Sequence, residues 1–394
     1  MLMQTKTKRT QGWMGIRRGH RAHPAEWLAE KFIFLVSLTA IVMVFLIFAF
    51  IMREALPIFM GQMDSALVQP AIPVDDVDKV PRARLEAYLG LTADDLAKMD
   101  KATLKSLMEV KQEEQDDIPE HFRNNPDARI NTTEWRYMLW PHQWTGYDKP
   151  SYIWQPVGEI EKYNIIPLVV GSLKITLVGL LFAVPLAVGA AIFVSQLARP
   201  RLREIIKPAI EMLSGIPSVV VGFFALIVMA TVLQGLFHYQ TRLNVLVAGI
   251  ALGFAVIPVI FSISEDALTS VPASYTHAAL ALGSSKWQAA WKIILPAALP
   301  GVFAATVLGF GRAVGETMIV LMVCSASVMS WSILDSARSI TATIAAEMGE
   351  VVSGGDHYRI LFMLGALLFI VTFLSNMAGE VIMHRLKSRL EGKR

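Results

Sequence analysis

The densest chemistry in the chain is Gly311-Arg312-Ala313-Val314-Gly315-Glu316-Thr317, set within an otherwise apolar stretch. A charge inside an apolar helix at membrane depth costs at least ~2.5 kcal/mol, so it must face a partner or a wet path. With the surrounding span starting near Leu299, Arg312 lies about 13 residues in, roughly 20 Å at about 1.5 Å per residue, near mid-bilayer or slightly beyond. Glu316 follows four residues later, on the same face of an unbroken helix and within ion-pair reach. Two readings stand. The pair knits helices together, or it forms an anion relay in which the Arg312 fork engages an oxyanion while Glu316 weakens the hold enough to release it. Intramembrane ionisable groups default to functional sites, which favours the relay. Thr317 adds a hydroxyl beside the pair. A second candidate is Gly215-Ile216-Pro217-Ser218, inside the apolar run Met212–Leu233. Pro217 removes one backbone donor and loosens the helix, and broken helices at depth line solute sites. A plain proline kink is the alternative.

A third stretch, Ala278–Pro296, is polar-edged and reads as two abutting amphipathic helices. Tyr275, Ala278, Ala279 and Leu282 share one face of the first, and Pro272 suits its first turn. Gly283 supplies a left-handed stop. Ser285-Lys286-Trp287-Gln288 is a capping-box pattern that starts the second helix. Trp287, Ala290, Trp291 and Ile294 make its apolar stripe, and Pro296 is expected to end it. Such a pair is a compact knob that fits another protein's cleft, although an ordinary interfacial helix pair has the same pattern.

The elements that must position these groups follow from composition. The 394 residues are 54% hydrophobic, with a mean hydropathy of +0.47, which marks a polytopic membrane protein. A single cysteine, Cys324, excludes an intrachain disulfide and any multi-cysteine metal site. No metal-spaced histidine cluster or nucleophile–base set stands out, so no metal and no catalytic residue is expected. No GxxxxGK[ST] occurs, so the chain carries no P-loop ATPase of its own. The basic N-terminus leads into an apolar run too long for a signal-peptide core and without a small-residue cleavage site, so no cleaved leader is expected.

Six spans are expected. Residues 1–31 form a basic, membrane-adjacent cytoplasmic tail, and the uncharged run Phe32–Met52 is the first span. Residues 53–165 hold thirteen Lys and Arg against twenty Asp and Glu, a net charge of −7. This acidic, mainly helical extracytoplasmic insert repels anions. Its sharper role is docking of a binding protein, its blander one structural packing. Thr92 is read as a helix cap. The aromatic cluster from Trp135 to Trp154 suits a membrane interface or a small core. Later spans are Ile175–Ala198, Met212–Leu233, Leu243–Ser264, one from about Leu299, and Ile360–Gly379. Lys174 either snorkels to the outer rim or helps draw in an anion. Arg199, Arg201, Arg203 and Lys207 mark a cytoplasmic loop. Alternation then puts Glu265-Asp266 and the loop 265–298 on the cytoplasmic side, and the basic tail 386–394 with them. Ser339–Glu350, rich in hydroxyls, reads as a short re-entrant or interfacial helix.

Ala278-Ala279, three residues, Gly283, nine residues, Ile293, one residue, then Leu295-Pro296 resembles the EAA loop of ABC-importer permeases. With GIPSVVVGF at 215–223, GRAVGETM at 311–318 and the Thr-Ala-Thr-Ile-Ala run at 341–345, residues from about Gly171 to Arg385 are similar to the permease subunits of phosphate-specific ABC importers, closer to PstC than to PstA. The resemblance implies a type I permease core over 166–385 and a bacterial inner-membrane location with both termini cytoplasmic. It implies a PstA-like second permease, two PstB-like ATPases and an extracytoplasmic phosphate-binding protein. ATP and Mg are used by the ATPase, and this chain binds no cofactor. It assigns Arg312, Glu316, Thr317, Ser218 and Pro217 to the substrate pathway. His277, Ala278, Ala279, Gly283, Ser284, Lys286, Leu295 and Pro296 fall to ATPase coupling. His277 departs from the usual Glu. A permease for sulfate or molybdate, or a phosphate-sensing scaffold subunit, remains as an alternative.

Overall fold

The computed structural model describes residues 24–68, 72, 80–89, 91, 93–325 and 329–390. The basic stretch up to residue 23 and the Thr92 cap lie outside them. Helix α1 runs Pro24–Phe59, past the expected end at Met52. Up to Phe50 it belongs to a unit of its own, and its Phe, Ile, Leu and Val side chains are exposed all round. A helix apolar on every side is a lipid-facing span.

The second unit begins at Ile51. Short helices α2 (Arg82–Leu89), α3 (Ala93–Lys98), α4 (Lys101–Asp116), α5 (Glu120–Arg123) and α6 (Trp135–Leu139) lead to a two-stranded antiparallel pair, β1 (Trp154–Gln155) and β2 (Lys162–Tyr163), with Trp154 opposite Tyr163. Asp100 caps α4 by accepting the Thr103 backbone N–H. The insert has one small core of Ile72, Leu85, Tyr88 and Met108. Its other half is continuous with the helices. Met138, Trp154 and Tyr163 pack with Ala55 and Ile58 of α1 and with Ile340 and Leu364. Of the two settings open to the aromatic cluster, Trp144 and Trp154 take the core, while Trp140 is exposed.

Helices α7 (Ile166–Ile192), α8 (Pro200–Leu213), α9 (Ser218–Phe224), α10 (Ala230–Phe237), α11 (Val245–Thr269), α12 (Ala273–Ala281), α13 (Lys286–Ala289), α14 (Leu295–Val314), α15 (Met318–Val323), α16 (Ile340–Glu347) and α17 (Asp356–Leu390) complete the chain. π turns join α7 to α8, α9 to α10 and α13 to α14. Among the described residues six helical segments are long and apolar enough to span a membrane: 28–59, 166–197, 218–237, 245–269, 286–314 and 356–385. Helix α11 is the hub, with Ala248, Ala251, Leu252, Val256, Ile260 and Phe261 all buried. It approaches α7 so closely that a Cβ on Gly249 would lie 2.5 Å from Val178 Cγ1. Small residues allow this contact where lipid offers no hydrophobic drive to hold helices together.

Two of the changed boundaries bear on the site and the loop. The span expected from Met212 begins at Ser218, because the residue before a proline disfavours helical backbone and Pro217 itself is extended at φ −58°, ψ 135°. Pro296 does not end the second loop helix. The π turn Ala290–Ile294 widens the backbone around Lys292, whose carbonyl the proline ring would otherwise meet, and the helix runs on as α14. The fifth span therefore starts at Lys286 rather than near Leu299.

Candidate functional site

Two helix breaks meet at one cavity. The first lies between amphipathic α8 and apolar α9, at residues 214–217. The second lies between α14 and α15, where Gly315, Glu316 and Thr317 leave the helical ladder. A cavity of about 430 Å³ opens between them, lined by Ser214, Ile216, Ser218, Phe254, Arg312 and Glu316 among others. Of the five residues expected along a pathway, it brings together Ser218, Arg312 and Glu316. Pro217 and Thr317 do not line it. They belong to the breaks, and the Thr317 hydroxyl donates to the Gly315 carbonyl at 3.4 Å.

The Arg312–Glu316 geometry corrects the expectation. The four-residue spacing holds only in a continuous helix, and α14 ends at Val314. Arg312 sits in the last turn, some 26 Å from Leu295 at about 1.5 Å per residue, where the carbonyl end of the helix favours a cation. Among the described residues no ion pair joins Arg312 to Glu316 or to any other acid. Its guanidinium is exposed to the cavity while Glu316 is half-buried. The Glu316 backbone is fixed instead, its carbonyl accepting the Thr341 hydroxyl of α16 at 2.8 Å. Such a site presents a forked cation with free donors and a serine hydroxyl, both able to donate to an oxyanion, beside a carboxylate that only accepts.

The loop forms the predicted helix pair. Gly283 is left-handed at φ +84°. The capping box is complete: the Ser285 N–H donates to Gln288 Oε1 at 2.9 Å, and the Gln288 N–H to Ser285 Oγ at 3.2 Å. The expected apolar stripes are not buried as a whole. Ala279, Ala290 and Ile294 pack inward, but Tyr275, Trp287 and Trp291 are exposed and Leu282 is 89% exposed. His277, Ala278, Gly283, Lys286 and Pro296 are exposed as well, Ser284 and Leu295 half-buried. An apolar patch rimmed by polar groups is the signature of an interface.

Residues 183–392 match the family model described as binding-protein-dependent transport system inner membrane component. The chain belongs to this family. It is 36% identical over 225 residues to the probable ABC transporter permease protein YqgH of Bacillus subtilis (strain 168), covering 57% of this chain and 73% of that relative. It is 36% identical over 260 residues to the phosphate transport system permease protein PstC of Xylella fastidiosa (strain 9a5c), covering 61% of this chain and 78% of that relative. Among solved structures it is similar to "Inward facing conformations of the MetNI methionine ABC transporter: CY5 native crystal form", at 21% identity and a TM-score of 0.45, over 56% of this chain and 95% of that one. The fold class is thus an all-α, multi-pass inner-membrane protein with an importer-permease core, a transport subunit that works with ATPase and binding-protein partners. The cavity and the loop both fall inside the matched region. The insert falls before it.

Sequence reasoning missed three features of this inner membrane component. Glu265, read as the start of a loop, is inside α11 and fully buried. It pairs with Arg203 and, at 2.7 Å, with Lys207, both on α8. The carboxylate bonded to Lys207 holds that ammonium above its usual range. Glu347, also buried, accepts from Arg338 at 2.6 Å and from Trp154 Nε1 at 3.1 Å, and lies 2.9 Å from His357 Nε2. Lys174 is the third. Its ammonium donates to the carbonyls of Ser330 and Ser332 at 2.6 and 2.9 Å, tying their loop to α7. The available signal was the acids themselves, Glu265 at the end of an apolar run and Glu347 in a weakly polar one.

Proposed function

We propose that this chain is the PstC-like permease subunit of an ATP-driven phosphate importer and forms half of its translocation pathway. The observation that carries this reading is the Arg312 guanidinium, which opens without an acidic partner among the described residues into a 430 Å³ cavity at the meeting of two helix breaks. The phosphate assignment is supported by the 36% identity to a relative named phosphate transport system permease protein PstC.

In this reading Arg312 receives the anion through its fork, Ser218 adds a hydroxyl, and the Glu316 carboxylate keeps the site from holding phosphate too tightly. Pro217 and Thr317 set the two breaks that open the cavity. The loop face, with His277, Ala278, Gly283 and Lys286 beside Leu282 and Trp287, docks on a PstB-like ATPase. Ala279, Ser284, Leu295 and Pro296 hold its shape. A histidine stands there where an acid is usual, so that contact lacks the acid's negative charge. The loop and both termini are cytoplasmic and the acidic insert extracytoplasmic, on the side of the phosphate-binding protein. A PstA-like subunit supplies the other half of the pore, and two PstB-like subunits hydrolyse ATP with Mg.

The test is labelled-phosphate uptake into proteoliposomes holding the full complex, with sulfate or molybdate in about tenfold excess. ATP-dependent uptake that neither competitor lowers supports the assignment. Equal competition by either moves it to another oxyanion. An intact complex that takes up none of the three leaves only the sensing role.

A further inference from the structure

Glu265 is the one acid in α11 that the helix encloses completely. A buried carboxylate persists only where cations and donors replace its water. Here both cations come from α8, one turn apart, so Arg203 and Lys207 grip the two carboxylate oxygens from a single helix face. The knot extends to the end of α11. The Thr269 hydroxyl donates to the Glu265 carbonyl at 2.8 Å and lies 3.1 Å from its carboxylate, and Arg203 reaches the same hydroxyl at 3.3 Å. Gln196 adds a bond to the Leu268 carbonyl at 3.4 Å, drawing in the end of the second span.

Lys207 also pairs with the exposed Asp266 of α11 at 3.6 Å. Ile206 and Ile210 pack inward against the core, while Leu202, Ile205 and Met212 are exposed. The two structures that α8 and α11 lead into are the ones that matter for transport. Beyond Lys207, α8 runs about 10 Å to Ser214, at roughly 1.5 Å per residue, and Leu213, Ser214 and Ile216 form one wall of the Arg312 cavity. Beyond Thr269, α11 passes through Ser270 and Pro272 into α12, the first helix of the loop. The break at residues 214–217 is a hinge position, because the proline and its neighbours leave the helical ladder there.

We infer that Glu265 is a positioning residue that locks the root of the loop to α8, so that movement of the loop swings the Ser214–Ile216 wall of the cavity. This rests on the permease reading above. It adds a route between loop and cavity that does not pass along α14, with the α8 hinge as the element both ends bias.

The experiment uses the assembled complex in proteoliposomes and reads phosphate taken up per ATP hydrolysed. Glu265→Gln keeps the shape but removes the charge that two cations share. The expected result is ATP hydrolysis within about twofold of wild type with a fall of at least tenfold in phosphate per ATP, while a cysteine at Ser284 still crosslinks to the ATPase subunit. Glu265→Asp, which keeps the charge, restores most of the ratio. Equal loss of uptake and hydrolysis, leaving the ratio unchanged, overturns the proposal and leaves Glu265 a structural tie. Where Glu265→Gln fails to assemble, Lys207→Gln decides on the same ratio: a lowered value supports the lock and an unchanged one removes it. Failure of the permease reading itself is separate, since wild type would then show no ATP-dependent phosphate uptake at all.

Discussion

Glu265 is sealed inside α11 with Arg203, Lys207 and Thr269 around its carboxylate. Arg312 stands in the last turn of α14 with its guanidinium open to a cavity and no acid bound to it among the described residues. Both are charges in apolar helices, and both carry the desolvation cost of that position. The first meets the cost inside the protein. The second leaves it to whatever enters the cavity. A satisfied charge fixes structure, and an open one is available for a ligand. That difference, rather than the presence of charge at depth, separates a strut from a site.

The largest expected effect tests the open charge. Arg312→Gln removes the charge-assisted hydrogen bonds to an oxyanion, worth ~1.5–3 kcal/mol, or about 10- to 100-fold in uptake. Assembly and unfolding midpoint should stay near wild type, because no ion pair within the chain is broken. The checks are labelled-phosphate uptake and thermal unfolding in detergent on the same preparation. Unchanged uptake by an intact complex removes Arg312 from the pathway. A collapsed midpoint instead makes it a structural group rather than a ligand for the solute.

How far the sequence foretold this contrast depends on which interactions are local. Capping at Ser285 and Gln288, the left-handed stop at Gly283 and the apolar runs are properties of neighbouring residues, and they form as their types dictate. The Arg312–Glu316 pairing failed because the spacing argument assumed an unbroken helix, while Gly315 and Glu316 turn out of it and Thr341 of α16 fixes the Glu316 carbonyl. Glu265 was misread for the opposite reason. A Glu-Asp pair at the end of an apolar run reads as a loop, and only cations some sixty residues earlier keep it helical and buried. Pro217 and Pro296 departed from expectation in the same way: the one expected inside a loosened helix instead caps the start of α9, and the one read as a stop is absorbed by a π turn. Tertiary contact decided each case.

Glu347 extends the comparison, since its enclosure by Arg338, His357 and Trp154 places it with Glu265 rather than with Arg312. Breaking a buried pair costs ~3–5 kcal/mol. Arg338 keeps some solvent here, so Glu347→Gln should cost about 2–3 kcal/mol. It should appear as a lower unfolding midpoint, with uptake per assembled complex within about twofold of wild type. The mutant amide still accepts from Trp154 Nε1 but leaves Arg338 without its counter-charge. A large loss of uptake at an unchanged midpoint would place Glu347 in the pathway and break the rule that satisfied charges are structural.

The smallest effect concerns a buried group with no charge to satisfy. Cys324, at the end of α15 beyond the expected fifth span, is 2% exposed, and burial pushes its thiol up to about 11. Only the thiolate reacts, so at pH 8 roughly one thiol in a thousand is reactive even before access is considered. Native protein treated briefly with N-ethylmaleimide should take up almost no label, with the rate rising about tenfold per pH unit towards the raised pKa, and one label per chain should appear after unfolding. A cysteine introduced at half-buried Ser284 should label readily in the same sample. Rapid labelling of the native wild type would mean that the segment after α15 opens in solution. Because α15 begins two residues after Glu316, the residue beside the open charge would then be less rigidly held than its bond to Thr341 implies. Slow labelling keeps the contrast sharp: the cavity's accessibility stops at Arg312 and Glu316 and does not extend into the packed layer behind them.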